Sequence, residues 1–207
     1  MSELVLHGGK RSPFVRRVAV WLGLQGRAFK RRPIDIFGSD FELFRAYNPL
    51  SRVPVLSLGH GQHLIETSAI IDYLEDTAEP AERLIPASGE DRLVCQQRIA
   101  LANALSEKGV AYVYETERRP ADKQWKEWIE RLEAQVRSGL EALESHLPAE
   151  GWMGGDKPDG SDVAALCAYD FLVGIAAFSD SDCPRLKALS ERSAAIGAFS
   201  ESHPAAQ

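Results

Sequence analysis

Residues 48–74 read Asn48-Pro49-Leu50-Ser51-Arg52-Val53-Pro54-Val55-Leu56-Ser57-Leu58-Gly59-His60-Gly61-Gln62-His63-Leu64-Ile65-Glu66-Thr67-Ser68-Ala69-Ile70-Ile71-Asp72-Tyr73-Leu74. Pro54–Leu58 and His63–Ile65 are short apolar runs, and Gly59-His60-Gly61-Gln62 between them is turn chemistry, so the stretch is a hairpin. It runs into a helix from about Thr67 to Thr77, with Ala69, Ile70, Tyr73 and Leu74 on one side. Upstream, Leu4-Val5-Leu6 is a short strand broken by Gly8-Gly9. Ser12-Pro13 then opens a helix, Ser as cap and Pro at the first helical position. Its Phe14, Val15, Val18, Trp21 and Leu22 keep helical spacing, and Gly26 lies just past its end. Phe29 to Ile36 supplies a second strand, and Asp40 to Tyr47 a short helix stopped by Asn48-Pro49. The order is β-α-β-α-β-β-α.

Beyond residue 80 the strand signals stop. Glu79-Pro80 through Gly89 is a polar connector, the composition of a linker. Helices are expected from about Asp91 to Glu117, Pro120 to His146 and Asp159 to Phe178, with shorter segments after Pro184. In the second, Ile129, Leu132, Val136, Leu140, Leu143 and Leu147 recur at three- and four-residue spacing. The expected architecture is α/β plus all-α: one domain over residues 1–79, and a helical bundle over 90–207.

Composition narrows the function classes. The 207 residues carry 24 Lys+Arg, 30 Asp+Glu and 44% hydrophobic residues, with a formal charge of −6. That apolar share excludes disorder, and three cysteines exclude a disulfide scaffold. Cys95, Cys167 and Cys183 lack metal-ligand spacing and read as reduced thiols in a cytoplasm. Cys95 and Cys167 fall in helices and should be buried; Cys183 falls in a loop and should be exposed. Residues 1–80 carry ten Lys/Arg and nine Asp/Glu, so the acidic excess lies wholly in the remainder. An acidic second half is the wrong footprint for a nucleic-acid binder. Lys30-Arg31-Arg32 reads as a solvated strand edge, where charge discourages sheet-to-sheet pairing. Met1-Ser2-Glu3 lacks the opening of a secretory signal, and Val163 to Phe178 is too short and too interrupted by Asp170 to span a bilayer. The five histidines form no metal set; His60 and His63 read as exposed turn residues.

Three segments in this order, Ser12-Pro13-Phe14-Val15-Arg16-Arg17-Val18, Asn48 through Leu56 and Glu66 through Leu74, followed by a helical half, resemble the glutathione S-transferase superfamily. The resemblance covers nearly the whole chain. It implies a thioredoxin-like domain joined to a C-terminal helical bundle, usually as a homodimer, with glutathione as co-substrate and no metal. Glutathione would lie along the first domain and a small apolar electrophile against the second.

The site residues follow from the same resemblance. Ser12 looks like the serine of serine-type transferases, whose hydroxyl lowers the pKa of bound glutathione. A helix N-terminus stabilises an anion, and a hydroxyl there can donate to a thiolate, so the two effects act together. The bland alternative for Ser12 is a helix cap and nothing more. Relatives with Cys at this position are thiol transferases, a chemistry that Ser12 excludes at this place. Phe14 completes the Ser-Pro-Phe motif. Val53-Pro54 resembles the cis-Pro element of thioredoxin-like folds, which implies that the Val53 main chain holds the cysteinyl part of glutathione. Arg52 stands where relatives bind the glycyl carboxylate. Glu66 and Thr67 stand where relatives bind the γ-glutamyl end, the carboxylate pairing with its ammonium. Asp159 and Asp162 match a capping pair that starts a helix, a folding feature. Tyr112 and Tyr114 are candidates for the electrophile pocket; with Trp125 and Trp128 they are otherwise aromatic core. The reading is a detoxification-type transferase. The rival is a scaffold that uses the same fold to bind another protein, and the sequence does not name the electrophile or the reaction type.

Overall fold

The computed structural model describes residues 3–175 and 182–205. Its contacts divide the chain into two compact units, Met1–Leu84 with Ile196–Gln207, and Ile85–Ala195.

The first unit is the thioredoxin-like one. Strands β1 (Leu4–His7), β2 (Phe29–Arg32), β3 (Val55–Gly59) and β4 (Gln62–Ile65) form one sheet in the order β2-β1-β3-β4. β1 and β2 are parallel, and the other two pairs are antiparallel. Helices α1 (Pro13–Leu24) and α3 (Thr67–Asp76) pack together. They close a core in which Val18, Trp21, Leu22, Leu56, Ile70 and Leu74 are fully buried. The Glu75 carboxylate gathers donors at the edge of that core: the Trp21 indole N–H donates to Glu75 Oε1 at 2.8 Å, and Leu84 N–H donates to the same oxygen at 3.1 Å.

Two elements are shorter than the sequence suggests. The second strand stops at Arg32 because Pro33 has no N–H to continue the ladder. Helix α2 spans only Phe41–Phe44, and the carboxylate of its preceding Asp40 accepts from Asp35 N–H instead of capping it. Lys30-Arg31-Arg32 does lie on an edge strand, with Lys30 paired to Glu3 at 2.8 Å.

The chain's end departs from the expected 90–207 division. Helix α8 (Gly197–Ser200) packs on α1 in the first unit. The reason is local: Gly23 has no Cβ, and one built there would lie 2.8 Å from Ala198 Cβ. Phe199 and Ser202 are buried, at 1% and 0% exposure.

The second unit is helical: α4 (Gly89–Val113), α5 (Lys126–His146), α6 (Gly160–Gly174) and α7 (Pro184–Ser193). The helix expected to reach Glu117 leaves α geometry at Val113 and ends in a π turn over Tyr114–Arg118. The helix expected from Pro120 begins at Lys126, because the buried Glu115 carboxylate gathers the intervening loop. It accepts from Trp125 N–H at 2.9 Å and from Arg119 Nε at 2.8 Å, contacts that hold its pKa below the usual range. The part of the third expected helix beyond residue 175 lies outside the described residues. Its start is the expected capping pair: Asp159 accepts from Ser161 and Asp162 N–H, while Asp162 accepts from Met153, Gly154 and Asp159 N–H. Burial, with Asp159 beside it, raises the Asp162 pKa to about 6.

Cys183 contradicts its expected exposure. It precedes α7, is 2% exposed, and burial followed by Glu144 and Asp182 raises its thiol to about 11. Cys95 and Cys167 are buried as expected. Among the described residues, no helix is long and apolar enough to cross a membrane, and no group of three or more His, Cys, Asp or Glu could hold a metal.

Candidate functional site

The sheet register decides which loops meet. His7 pairs with Val55, and Val55 pairs with Ile65. The β1–α1 loop leaves after His7, Val53-Pro54 enters before Val55, and Glu66 follows Ile65. All three segments therefore gather at one end of the sheet, as the sequence motifs require. Gly8 makes the approach close. Its φ is +136°, and a Cβ there would lie 2.4 Å from Val15 Cγ2 and 3.0 Å from Val53 Cβ. Only glycine combines that backbone with that contact.

Ser12 is half-buried at the head of α1 and extended, with φ −75° and ψ 121°. Its Oγ accepts from Val15 N–H at 3.3 Å. This is the cap expected from the sequence, and it is compatible with the functional role. A hydroxyl has one proton and two lone pairs, so capping through a lone pair leaves the O–H to donate elsewhere. Phe14 lies half-buried in the same first turn, next to the buried Arg16 and Arg17, whose burial the sequence pattern does not show.

The Val53–Pro54 peptide is cis, as the resemblance implies, and Val53 is half-buried. Arg52 is exposed, and its loop is held by side chains. Asn48 Nδ2 donates to Arg52 O at 2.8 Å while Asn48 Oδ1 accepts from Leu50 N–H at 3.0 Å. Ser51 Oγ donates to Phe41 O at 2.8 Å, tying the loop back to α2. Asn48 is thus an organiser as well as the helix stop read from the sequence.

Glu66 carries the clearest strain. It sits at φ +69° and ψ 131°, a conformation rarely adopted by a residue with a Cβ. Its carboxylate accepts from Ser68 N–H at 2.9 Å through Oε2, and the side chain is exposed. Thr67 is buried, 2% exposed, at the first position of α3.

Beneath these loops lies a polar chain that sequence reasoning missed. His7 Nε2 is 2.8 Å from Ser57 Oγ, and Ser57 Oγ is 2.8 Å from His63 Nδ1. The Tyr47 ring packs against both imidazoles, at 5.0 Å and 4.7 Å. Burial, then Arg32 and His63, lowers the His7 pKa to about 4. His63 is accordingly half-buried and bonded rather than an exposed turn residue. The signal was available, since His7, Ser57 and His63 occupy same-face positions once the register is known.

In the second unit, Tyr112 is half-buried near the end of α4 and Tyr114 is 47% exposed in the π turn. Burial, with Glu133 and Glu117, raises the Tyr112 pKa.

Comparison with known proteins agrees with this architecture. Residues 6–82 match the family model of the glutathione S-transferase N-terminal domain, and residues 126–192 that of the C-terminal domain. The chain belongs to the glutathione S-transferase superfamily. Within the superfamily it is 29% identical over 217 residues to a maleylacetoacetate isomerase of Pseudomonas aeruginosa, covering 95% of this chain and 94% of that one. A glutathione S-transferase of Methylobacterium radiotolerans, solved in complex with glutathione sulfonate, superposes with a TM-score of 0.91 at 26% identity, covering 100% of this chain and 97% of the other. A maleylacetoacetate isomerase of Methylobacterium extorquens AM1, solved with malonate and glutathione bound, superposes with a TM-score of 0.75 at 26% identity, covering 98% and 97%. The N-terminal transferase match falls inside the first unit and the C-terminal match inside the second, the same order that the motifs give.

Proposed function

We propose that the protein is a glutathione-dependent transferase or isomerase of the serine type. The supporting observation is the Ser12 geometry: its oxygen caps α1 while its proton is left to donate to a sulfur anion at the same helix end. The thiolate is the nucleophile, so keeping it charged near neutral pH is the catalytic contribution of this chain. The helix N-terminus adds positive potential at that point, and no separate base is required of the serine. Phe14 shapes the first turn around the sulfur. The Val53 main chain holds the cysteinyl residue, and Arg52 meets the glycyl carboxylate. Glu66 retains Oε1 for the γ-glutamyl ammonium, because Oε2 is engaged with Ser68 N–H. The Thr67 hydroxyl and the N–H groups at the head of α3 receive the γ-glutamyl α-carboxylate. Tyr112 and Tyr114 are proposed to contact the second substrate.

For the reaction itself, the isomerase relatives favour a specific reading beside conjugation to an apolar electrophile. Lys10 and Arg11 immediately precede Ser12 in the chain, so two cations lie within two residues of it in sequence. That suits an electrophile bearing carboxylates. In an isomerisation the thiolate adds to an activated double bond, the resulting single bond rotates, and elimination returns the thiolate, so atoms and charge balance. A homodimer in the cytoplasm, with a detoxifying or catabolic role, completes the proposal.

Titration calorimetry with glutathione and with S-methylglutathione tests the site, and a screen of neutral against carboxylate-bearing electrophiles tests the reaction. Binding with turnover supports an enzyme. Absence of binding at millimolar ligand would leave the scaffold reading in its place.

A further inference from the structure

The His7–Ser57–His63 chain has a definite proton arrangement. His7 is 2% exposed, and its Nδ1 has no hydrogen-bond partner among the described residues. A proton on Nδ1 would be a buried orphan donor, whereas a bare lone pair there is the milder deficit. His7 therefore carries its proton on Nε2 and donates to Ser57 Oγ. Ser57 in turn gives its single proton to His63 Nδ1. The chain is complete only while both imidazoles are neutral. A proton added to His63 Nδ1 would displace the Ser57 proton, and one added to His7 Nδ1 would bury an unpaired cation.

This chain is also a seat. Tyr47 lies on both imidazoles and is stacked on Phe44 at 5.6 Å, and Arg32 Nη1 donates to the Tyr47 hydroxyl at 3.2 Å. Tyr47 and Phe44 belong to the segment 41–52, which is bonded internally from Ser51 to Phe41 and from Asn48 to Arg52. That segment leads directly into Val53-Pro54. A helix as short as α2 has no stability of its own, so its order depends on what it rests against.

We propose that His7 and His63, bridged by Ser57, are positioning residues for the glutathione site: their neutral pair seats the segment 41–52, and acidification unseats it and weakens binding at the glycyl side. This rests on the glutathione reading above. The groups facing the pair are Arg32 from β2, Ser57 from β3, and Tyr47 from the turn after α2. Glu42 of α2 and Arg45 just after it are exposed and paired with each other at 3.2 Å. Arg32 disfavours a proton on His7.

The test is amide hydrogen exchange of Tyr47, Asn48, Leu50 and Ser51 between pH 7.5 and 5.0, corrected for intrinsic rates, beside S-methylglutathione affinity over the same range. The thioether does not titrate, so the ligand contributes no thiol ionisation. Taking His7 at about 4 when seated and about 6.5 when released, linkage gives a loss of protection of roughly thirtyfold in the wild type. His7→Asn and His63→Gln should abolish most of that pH dependence, and the wild-type dissociation constant should rise on acidification. Protection that does not vary with pH would overturn the proposal. So would a pH response unchanged in both variants, or falling protection with a flat affinity. Should both variants fail to fold, the wild-type exchange and affinity profiles decide. If S-methylglutathione binds at no pH, the glutathione reading is what fails, and the exchange profile, which needs no ligand, still decides whether the seat is pH-sensitive.

Discussion

At the scale of single residues, the role proposed for Ser12 uses one hydroxyl twice, as a cap and as a donor to the thiolate. Ser12→Ala removes both uses, and they are separable by measurement. A hydrogen bond to a charged group contributes about 1.5–3 kcal/mol, so the pKa of bound glutathione should rise by roughly one to two units. The loss of the cap should lower stability by about 1 kcal/mol. Thiolate absorbance against pH reads the first and a urea melt the second; a weaker fold with an unchanged titration would leave Ser12 a cap only. Glu66→Gln should act differently, because the contact proposed for it is remote from sulfur and equal in ground and transition states. The expected outcome is a raised KM for glutathione with kcat held, and the strained φ of +69° is unrelieved by the change, so stability should not recover. His7 gives a pH signature in the whole-fold stability. Its native pKa is lowered to about 4, so as pH falls below about 6.5 the unfolded chain takes up the proton first. Stability present above that point is then lost down to about pH 4, by up to about 3 kcal/mol from this group, and no further below. Urea melts at pH 7 and 4.5, in wild type and His7→Asn, check the sign.

At the scale of elements, the three loops of the site are brought together by sheet register, and Gly8 is where that assembly is tightest. Gly8→Ala would place a methyl 2.4 Å from Val15 Cγ2 at a φ of +136°, so it should cost about 2–4 kcal/mol and displace Val53 from Ser12. Loss of ligand-induced stabilisation together with a lower urea midpoint is the expected pair of results. Asp162→Ala should destabilise the helical unit by about 1–3 kcal/mol, since the N–H groups of the half-buried Met153 and Asp159 and of the exposed Gly154 lose their acceptor; a loss near zero would mean that water replaces the carboxylate. These elements also show what a sequence can carry. The helix heads at Ser12 and Asp159 are written locally, in cap residues and spacing, and so they are readable in one dimension. Element ends set by distant side chains are not. Asp40 turns to Asp35, Glu115 reaches ten residues on to Trp125, and α8 returns to α1 through Gly23 and Ala198. The same distinction runs through the site. Ser12, Val53 and Glu66 sit in local motifs, whereas His7, Ser57 and His63 meet only across three strands, and the burial of Thr67 and Cys183 comes from packing that no local pattern records.

At the scale of the whole molecule, the distribution of apolar surface bears on assembly. Leu43 and Leu50 of the first unit are 74% and 71% exposed, and Phe37 and Phe41 beside them 52% and 45%. The second unit has a groove of about 560 Å³ between α4 and α5, lined by Leu101, Ala104, Leu105, Ala134 and Gly139 with Lys108 and Arg131 at its polar parts. Single exposed apolar residues are ordinary, but four within fourteen positions of the sequence concentrate apolar exposure that water disfavours. A self-complementary pairing of two chains would cover such surface twice by the same contact, which is why closed dimers are the commonest assembly. The expected outcome is a sedimenting species near twice the monomer mass of 22.8 kDa at micromolar concentration. Leu50→Glu should shift it towards monomer, because a carboxylate entering an apolar interface loses its hydration without gaining a partner. The substitution is exposed in the single chain, so the monomer's own circular dichroism should be preserved. A monomer already present in the wild type would remove the dimer from the proposal; a dimer that tolerates Leu50→Glu would place the interface on another face.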